Sequence, residues 1–430
     1  MKKILCILLL FSLHAGAQQQ LNLQDAISIA LKNSLDIQLA KNSVEQNTIL
    51  NNYGVAGGLP VVTGSASNLE QITTLNQKLS NGTTTDRTGV AANSTNAAVT
   101  ASMLLYNGMH VVSTKKRLQE LQNQSEQVLN SQIMNTIAGV MTKYFDIVRQ
   151  QSYTKTIQQS IEASQEQLKI LQVRKTAGLA NNADIFQAQI DLNTLLQAKQ
   201  SQELVIENAK ADLLTLLTLN ADSVITVSDT ILVDNSLHID SVLTRLTTNP
   251  DIIAADQQIK INQYIVKEVA AQRYPALRFN TGLSYSRSQS GAGFTLLNQT
   301  YGPTLGLTLA VPIYNGSAYK RQQKVAEIDV KNATLQKQTL IRDYSANAVK
   351  TYQAYINTLQ QSVSQTDNYK LAKKLLDLTM LRFELRQATI LEVREAQKSF
   401  ENAGYLLVNL AYAAKAAEIE LKRITYTLTF

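Results

Sequence analysis

The sequence predicts a mainly α-helical protein that also carries four amphipathic β-strands per chain, arranged in two tandem repeats. The first observation is that glycine and proline are scarce, with 17 and 5 in 430 residues. Neither occurs between Ser317 and Ala403, and Gly139 is the one glycine between Met109 and Ala177. These tracts are rich in the good helix formers Gln, Ala, Leu, Lys and Glu. Because ordinary helices average about 11–12 residues, the tracts predict unusually long helices.

The second observation is a repeated corner. Tyr106-Asn107-Gly108 recurs as Tyr314-Asn315-Gly316, 208 residues later, and Arg174 recurs as Arg382 at the same offset. Before the corners, Pro60 recurs as Pro275 at an offset of 215. Matches at two fixed offsets indicate an internal duplication.

The third observation is a period of two in the segments that precede each corner. In the second repeat, Leu305, Leu307 and Leu309 alternate with Thr304, Gly306 and Thr308. Such alternation predicts strands with one apolar and one polar face.

The predicted organisation has five parts. A signal peptide occupies 1–17, and a tail occupies 424–430. Repeat 1 spans 18–219, with strands at about 61–72 and 97–106, an exposed loop between them at about 73–96, and long helices at 108–177 and 183–218. An inter-repeat segment spans 220–250. Repeat 2 spans 251–423, with strands at about 277–287 and 303–314 and long helices at 316–386 and 390–423. Each repeat begins with a shorter helix, at about 24–57 and 251–273.

The N-terminal segment has the pattern of a secretory signal. Lys2 and Lys3 precede an apolar run at 4–13, and small residues at 15–17 favour cleavage after Ala17. The apolar run is too short to span a membrane. Cys6 is the single cysteine of the sequence, so disulfides and cysteine metal sites are not expected in the remainder.

Charge and composition argue against several functions. Forty Lys and Arg residues face 33 Asp and Glu residues, with no basic block interleaved with aromatics, so no nucleic-acid partner is predicted. We find no nucleophile–base set, metal spacing or phosphate loop. We therefore expect no catalytic residues, no metal and no cofactor, which disfavours an exported enzyme.

Four strands per chain are too few to close a membrane barrel. In lipid an open sheet edge leaves backbone groups without partners, so identical chains would have to pool their strands. Two chains would give eight strands and three would give twelve. A soluble periplasmic coiled-coil adaptor or structural protein remains the alternative, since the apolar seams of the returning helices also fit a coiled coil.

The signal peptide, the Asn249-Pro250-Asp251 helix start, the proline before each first strand, the duplicated corner and the segment LRFELRQATILEVREAQ (381–397) together resemble the TolC-like outer membrane factor family. The resemblance implies a homotrimer with a shared twelve-stranded outer-membrane barrel, continued by a twelve-helix coiled-coil tunnel across the periplasm. It also implies an exit duct for efflux or type I secretion. Its partners would be outer-membrane lipid, a periplasmic membrane-fusion adaptor and an inner-membrane transporter of RND, ABC or MFS type. The cargo is not predicted.

In that architecture each corner joins a membrane strand to a tunnel helix. Tyr106 and Tyr314 would lie at the lipid–water boundary, which favours amphipathic rings. The Asn-Gly pairs 107–108 and 315–316 would make the corner and begin the helix, and Pro60 and Pro275 would precede the strands.

The resemblance also places a gate and a docking surface at the helix turns. Glu392 and Glu395 match two acidic residues of the family's closed end, and Asp184 is the equivalent acid of the first repeat. Helix capping is the competing interpretation of all three. The tip residues expected to contact an adaptor are Ala177, Gly178, Leu179, Arg386, Gln387 and Ala388.

The family's polar latch at this tip joins the acid to a tyrosine and an arginine to a threonine. This chain has Phe383, Ala388 and Ala183 at three of those positions, so the two bonds cannot form in the same way. We expect other pairs to replace them, such as Arg386 or Arg394 with a nearby acid, or a looser closure.

Overall fold

The computed structural model describes residues 19–428. The predicted signal peptide at 1–17 therefore lies outside the described residues. The elements, in chain order, are β1 (Gln19–Gln20), α1 (Leu23–Asn33), α2 (Leu35–Leu50), β2 (Val61–Lys78), β3 (Thr84–Tyr106), α3 (His110–Thr176), α4 (Asn182–Leu216), β4 (Ile225–Thr226), α5 (Ile239–Arg245), α6 (Pro250–Ala271), β5 (Ala276–Ser290), β6 (Leu297–Ala310), α7 (Ala318–Glu384) and α8 (Ile390–Ile424). None of the helices in this described range has the length and apolarity needed to cross a membrane.

The long helices match their predicted extents. The helices α3 and α7 have 67 residues each, and α4 and α8 have 35 each. Every end lies within two residues of the prediction, because glycine-free, helix-favouring tracts leave only the corners as breaking points. The predicted first helix at 24–57 is wrong. It is broken at Ser34, whose backbone is non-helical, and α2 ends at Leu50.

The chain forms two compact units. The sheet unit comprises Ser43–Glu126 and Ala254–Lys337, and the helical unit comprises the chain up to Asn42, Gln127–Ile253 and the chain from Gln338 onward. Each unit draws on both predicted repeats.

The sheet unit is built on a four-stranded antiparallel sheet in the order β2-β3-β5-β6. The predicted exposed loop at 73–96 is wrong. β2 continues to Lys78 and β3 starts at Thr84, so a turn of a few residues joins two longer strands. Thr and Val in this segment fit a strand sterically. A two-stranded ribbon with water on both faces can form without alternating apolar and polar residues, so the sequence shows no period of two there.

The last strand is also shifted from its predicted position at 303–314. β6 spans 297–310, and Val311–Tyr314 follow it as irregular chain. Pairing ends at Ala310 because its partner Ala276 is the first residue of β5, directly after Pro275.

The helical unit holds the largest apolar core. Its centre is Tyr144, Ile147 and Leu213, all about 1% exposed or less, packed with residues of α1 and β4. A second core surrounds Tyr355 and joins α5 to α7 and α8. The inter-repeat segment therefore packs within this unit.

Left-handed backbone positions recur at the same offset of 208 residues as the sequence matches. Each position lies directly before or directly after a long helix. The positions that follow a helix have the hydrogen-bonding pattern of a helix C-cap. The pairs and their φ angles are Gly108 (64°) with Gly316 (66°), Met109 (68°) with Ser317 (61°), Gly178 (70°) with Arg386 (62°), and Thr218 (57°) with Tyr426 (56°).

Candidate functional site

The predicted site residues fall into two groups, one in each unit. The gate and tip residues lie in the helical unit, where α3 turns into α4 and α7 turns into α8. The corner residues lie in the sheet unit, where strands give way to long helices.

The first tip turn is closed by glycine. Gly178 has a φ of 70°, and the Leu179 N–H donates to the Arg174 carbonyl at 2.8 Å. A residue without a Cβ adopts this conformation at no steric cost. The Asn181 side chain then accepts from the Asp184 N–H at 2.8 Å and caps α4.

The second tip turn has the same geometry without glycine. Arg386 has a φ of 62°, and the Gln387 N–H donates to the Arg382 carbonyl at 2.7 Å. Thr389 caps α8 in a reciprocal capping box: its hydroxyl accepts from the Glu392 N–H at 3.2 Å, and its own N–H donates to the Glu392 carboxylate at 2.7 Å.

The three predicted gate acids are placed differently. Bonds from the Thr389 backbone and hydroxyl, and then the Arg382 charge, lower the pKa of Glu392. Glu395 is exposed, and Asp184 is half-buried at the start of α4. Among the described residues, no hydrogen bond or ion pair joins Asp184 to either glutamate. Glu392 thus has a demonstrated capping role, and its carboxylate stays ionised at neutral pH.

An apolar cluster occupies the place of the polar latch. Phe383, 1% exposed, packs with Leu171, Ala188 and Val393, so both tip turns share one small core. Ala388 adds to this cluster from its edge. Phe383 has no hydroxyl to form the latch bond, and its ring instead makes apolar contacts inside this buried cluster.

Two arginines that were not predicted as site residues tie the turns together. The Arg174 guanidinium lies over the Phe383 ring at 4.4 Å and donates to the Phe383 carbonyl. Arg382 donates to the Gln387 carbonyl at 2.8 Å and lies 3.7 Å from the Glu392 carboxylate. Their 208-residue spacing, immediately before each turn, was the signal that could have identified them.

The expected replacements for the latch, Arg386 or Arg394 with a nearby acid or a looser closure, stay predictions. Within the described part of the chain, neither Arg386 nor Arg394 forms an ion pair. Arg386 is committed to the left-handed turn position, and Arg174 and Arg382 make the charged contacts instead.

The two corners have similar backbone conformations but different surroundings. Tyr106 ends β3, and the Asn107 side chain accepts from the Val111 N–H at 3.4 Å. A Cβ on Gly108 would lie 2.6 Å from the Tyr274 Cβ, so the first corner requires glycine for space as well as for its φ of 64°. Gly316 has open space around it, and Tyr314 is 84% exposed. Pro60 and Pro275 directly precede β2 and β5.

The register gives the sheet one apolar and one polar face. Leu277 pairs with Leu309, Phe279 with Leu307, and Tyr285 with Tyr301, so these side chains share a face. The alternate residues Asn280, Ser102 and Thr308 are linked across strands by hydrogen bonds of 3.0 Å on the other face. The apolar stretch from 277 to 285 is nine residues, close to the length of a tilted membrane-spanning strand.

The family model described as "Outer membrane efflux protein" matches residues 26–219 and 244–425. The chain belongs to this family. The resemblance predicted from the sequence is confirmed, and the protein is an outer membrane efflux protein.

Named relatives support the same family at low identity. The pyoverdine export outer membrane protein OpmQ of Pseudomonas aeruginosa is 24% identical over 303 residues, covering 67% of this chain and 60% of OpmQ. TolC of Vibrio cholerae is 23% identical over 305 residues, covering 68% of each chain.

Solved structures share the fold. The CmeC outer membrane channel of Campylobacter jejuni superposes with a TM-score of 0.77 at 17% identity, covering 94% of this chain and 85% of CmeC. VceC of Vibrio cholerae gives 0.75 at 16% identity, covering 94% and 95%. The shared fold covers 94% of this chain and so includes both the long helices and the sheet.

Proposed function

We propose that this protein is a homotrimeric exit duct that conducts substrates passively from the periplasm to the exterior. Three chains would share a twelve-stranded barrel in the outer membrane and a twelve-helix tunnel in the periplasm. The observation that carries this proposal is the open four-stranded sheet with one apolar face.

The sheet needs other chains because its edges are unpaired within one chain. β2 and β6 are the outer strands, with 18 and 14 residues. In hydrocarbon each unpaired backbone group costs several kcal/mol. The apolar face of β6 is highly exposed, with Leu305 at 79% and Leu307 at 65%. Pairing β2 of one copy with β6 of the next removes both edges at once.

The polar residues beyond the apolar stretch support a membrane placement. On the apolar face of the sheet, Asn93 donates to Asn68 at 2.9 Å and also to Glu70. These residues lie beyond Tyr285, on the side away from the corners. Aromatic rings followed by a polar network mark the boundary of a lipid-facing belt. Outer-membrane lipid would contact the residues below it.

The partners follow from the family. We propose that a periplasmic membrane-fusion adaptor docks on the tip turns at 177–179 and 386–388, which are mostly exposed, and that an inner-membrane transporter delivers the cargo. OpmQ is named for pyoverdine export. Function is set by sites rather than by fold, so neither the cargo nor the transporter class, RND, ABC or MFS, follows from this likeness.

Disulfide trapping tests the trimer. The sequence has a single cysteine, Cys6, so a disulfide between chains can be attributed to the introduced cysteines. A cysteine at Ser65 in β2, combined one at a time with cysteines at positions 302–306 in β6, is expected to give covalent trimers on a non-reducing gel in at least one register. A chemical disulfide needs Cβ atoms about 3.5–4.5 Å apart.

The matched control is Ala98→Cys with Ser284→Cys, which are register partners on β3 and β5 of one chain. This pair is expected to oxidise within a monomer band. Monomer bands alone for every β2–β6 combination, in protein extracted from membranes with mild detergent, would refute the shared barrel.

We also propose that Glu392, Glu395 and Asp184 contribute negative charge to a periplasmic gate. Three chains would bring these carboxylates toward one axis, where they attract cations. The capping role of Glu392 must be separated from its charge.

Glu392→Gln makes that separation, because glutamine can fill the same capping-box position without a charge. We expect Glu392→Gln and Glu395→Gln each to change single-channel conductance and to lower the preference for cations. The effect of Glu392→Gln is expected to fade as the pH falls below the ordinary glutamate value of 4.5, because the lowered pKa keeps Glu392 charged above it. Thr389→Ala, which removes the cap and keeps the charge, is the control. A change in Thr389→Ala and none in Glu392→Gln would assign Glu392 to capping alone.

A further inference from the structure

We propose that Arg278 makes the polar face of the sheet a site that favours anions, and that the anionic groups of exported molecules contact it. This inference rests on the proposed function, since it assigns the polar face to the water-filled lumen. The solute class is carboxylate, phosphate or sulfate groups.

The polar face of the sheet is almost free of charge. Along the paired parts of β2, β3, β5 and β6, the side chains on this face are mostly Ser, Thr, Asn, Gly and Ala. Arg278 is the single charged residue among the positions 61–71, 92–104, 276–290 and 298–310 that share this face. No carboxylate of these described strands lies on it, so the arginine charge has no partner there.

The contacts of Arg278 orient it without neutralising it. Its guanidinium donates to the Ser102 hydroxyl at 3.4 Å, and Ser102 donates to Asn280 at 3.0 Å. Asn280 in turn donates to Thr308 at 3.0 Å. Arg278 is exposed, and it forms no ion pair among the described residues. The neighbouring hydroxyl and amide groups are neutral, so the full charge acts on the water beside this face.

A guanidinium with free N–H groups is suited to oxyanions. It stays charged at every physiological pH, and its fork of donors matches carboxylate and phosphate geometry. Positively charged side chains that line pores favour anions. In the proposed trimer three copies of Arg278 would lie at one level of the barrel, near the strand ends that lead to the corners.

The same strand provides a matched control. Arg287 lies nine residues further along β5, an odd spacing that places it on the apolar face, where it donates to Gln289 at 3.1 Å. Changing Arg287 removes the same charge from the same strand without altering the lumen.

The experiment measures zero-current potentials of purified protein in planar bilayers under a potassium chloride gradient. The chloride-to-potassium permeability ratio is expected to fall about two-fold in Arg278→Gln at 0.1 M salt, and further in Arg278→Glu. The fall should grow at 0.01 M, because the charge is screened less there and acts over a Debye length of about 30 Å instead of about 10 Å. Arg287→Gln and Arg278→Lys should keep the native ratio. Charges elsewhere in the channel are the same in every variant, so they do not account for differences in the permeability ratio between variants.

Asn280→Asp provides an independent route to the same result, because it places a carboxylate beside Arg278 without removing it. It is expected to lower the ratio as Arg278→Gln does, and it covers the case in which Arg278→Gln fails to assemble. Conducting channels with unchanged ratios in Arg278→Glu or Asn280→Asp would overturn the inference and leave the proposed duct intact. Absence of any conductance in the native protein would instead overturn the duct, and this inference with it.

Discussion

Leu305→Arg is expected to abolish stable insertion of the protein into the outer membrane. Leu305 lies in the middle of β6 on the apolar face and is 79% exposed in the single chain. An arginine on the lipid face of a barrel costs about 2–4 kcal/mol near the bilayer midplane, and the proposed trimer incurs this cost three times. The measurement is the amount of protein in the outer-membrane fraction and the amount of trimer that resists mild detergent.

The control is the neighbouring residue. Thr304→Arg places the same side chain one position earlier, on the polar face that we assign to water. This variant should insert and assemble nearly as well as the native protein. Equal insertion of the two variants would contradict the assignment of the two faces.

Glu418→Ala is expected to lower the free energy of unfolding by about 3–5 kcal/mol, the range for breaking a buried ion pair on one side. The Glu418 side chain is 3% exposed and accepts from Lys415 at 3.0 Å and from Lys422 at 2.9 Å. It also accepts from the Asp234 backbone N–H at 3.0 Å, which fastens the inter-repeat segment to α8. Removing the carboxylate leaves the buried Lys415 ammonium without its acid.

Urea unfolding of the detergent-solubilised protein, followed by circular dichroism, measures this loss. Glu207→Ala is the control, since Glu207 is 66% exposed and pairs with Lys210 at 2.8 Å. A surface pair of this kind contributes no more than about 1 kcal/mol. A loss for Glu418→Ala as small as that for Glu207→Ala would show that the buried cluster does not stabilise the unit.

The efflux protein family and the helix extents were predictable because their signals are local. Glycine-free tracts define α3, α4, α7 and α8, and the duplicated Tyr-Asn-Gly corner marks where each long helix pair begins. The alternation in β5 and β6 was equally clear, since successive side chains of a strand lie on opposite faces and only one face of this sheet is apolar. The ribbon at 73–91 was missed because both its faces are polar, which removes that period.

The tip contacts were not predictable, because they join residues of the two repeats that are distant in the chain. Arg174 meets the Phe383 carbonyl, and Leu171 packs on Val393, more than two hundred residues away. Sequence matching to the family indicated which latch bonds were missing, yet not what replaced them.

The sequence by itself determined the extents of the four long helices and the family, since both depend on backbone propensity and on patterns that are local in the chain. Only the tertiary structure decided which side chains share a face or a turn. Arg278 and Arg287 are the same residue type on one strand, and the strand register alone places one beside Ser102 and the other on the opposite face, level with Thr95 and Gln299. Their difference is physical: one charge faces a neutral polar surface, and the other lies beyond the apolar stretch of the opposite face, where it donates to Gln289.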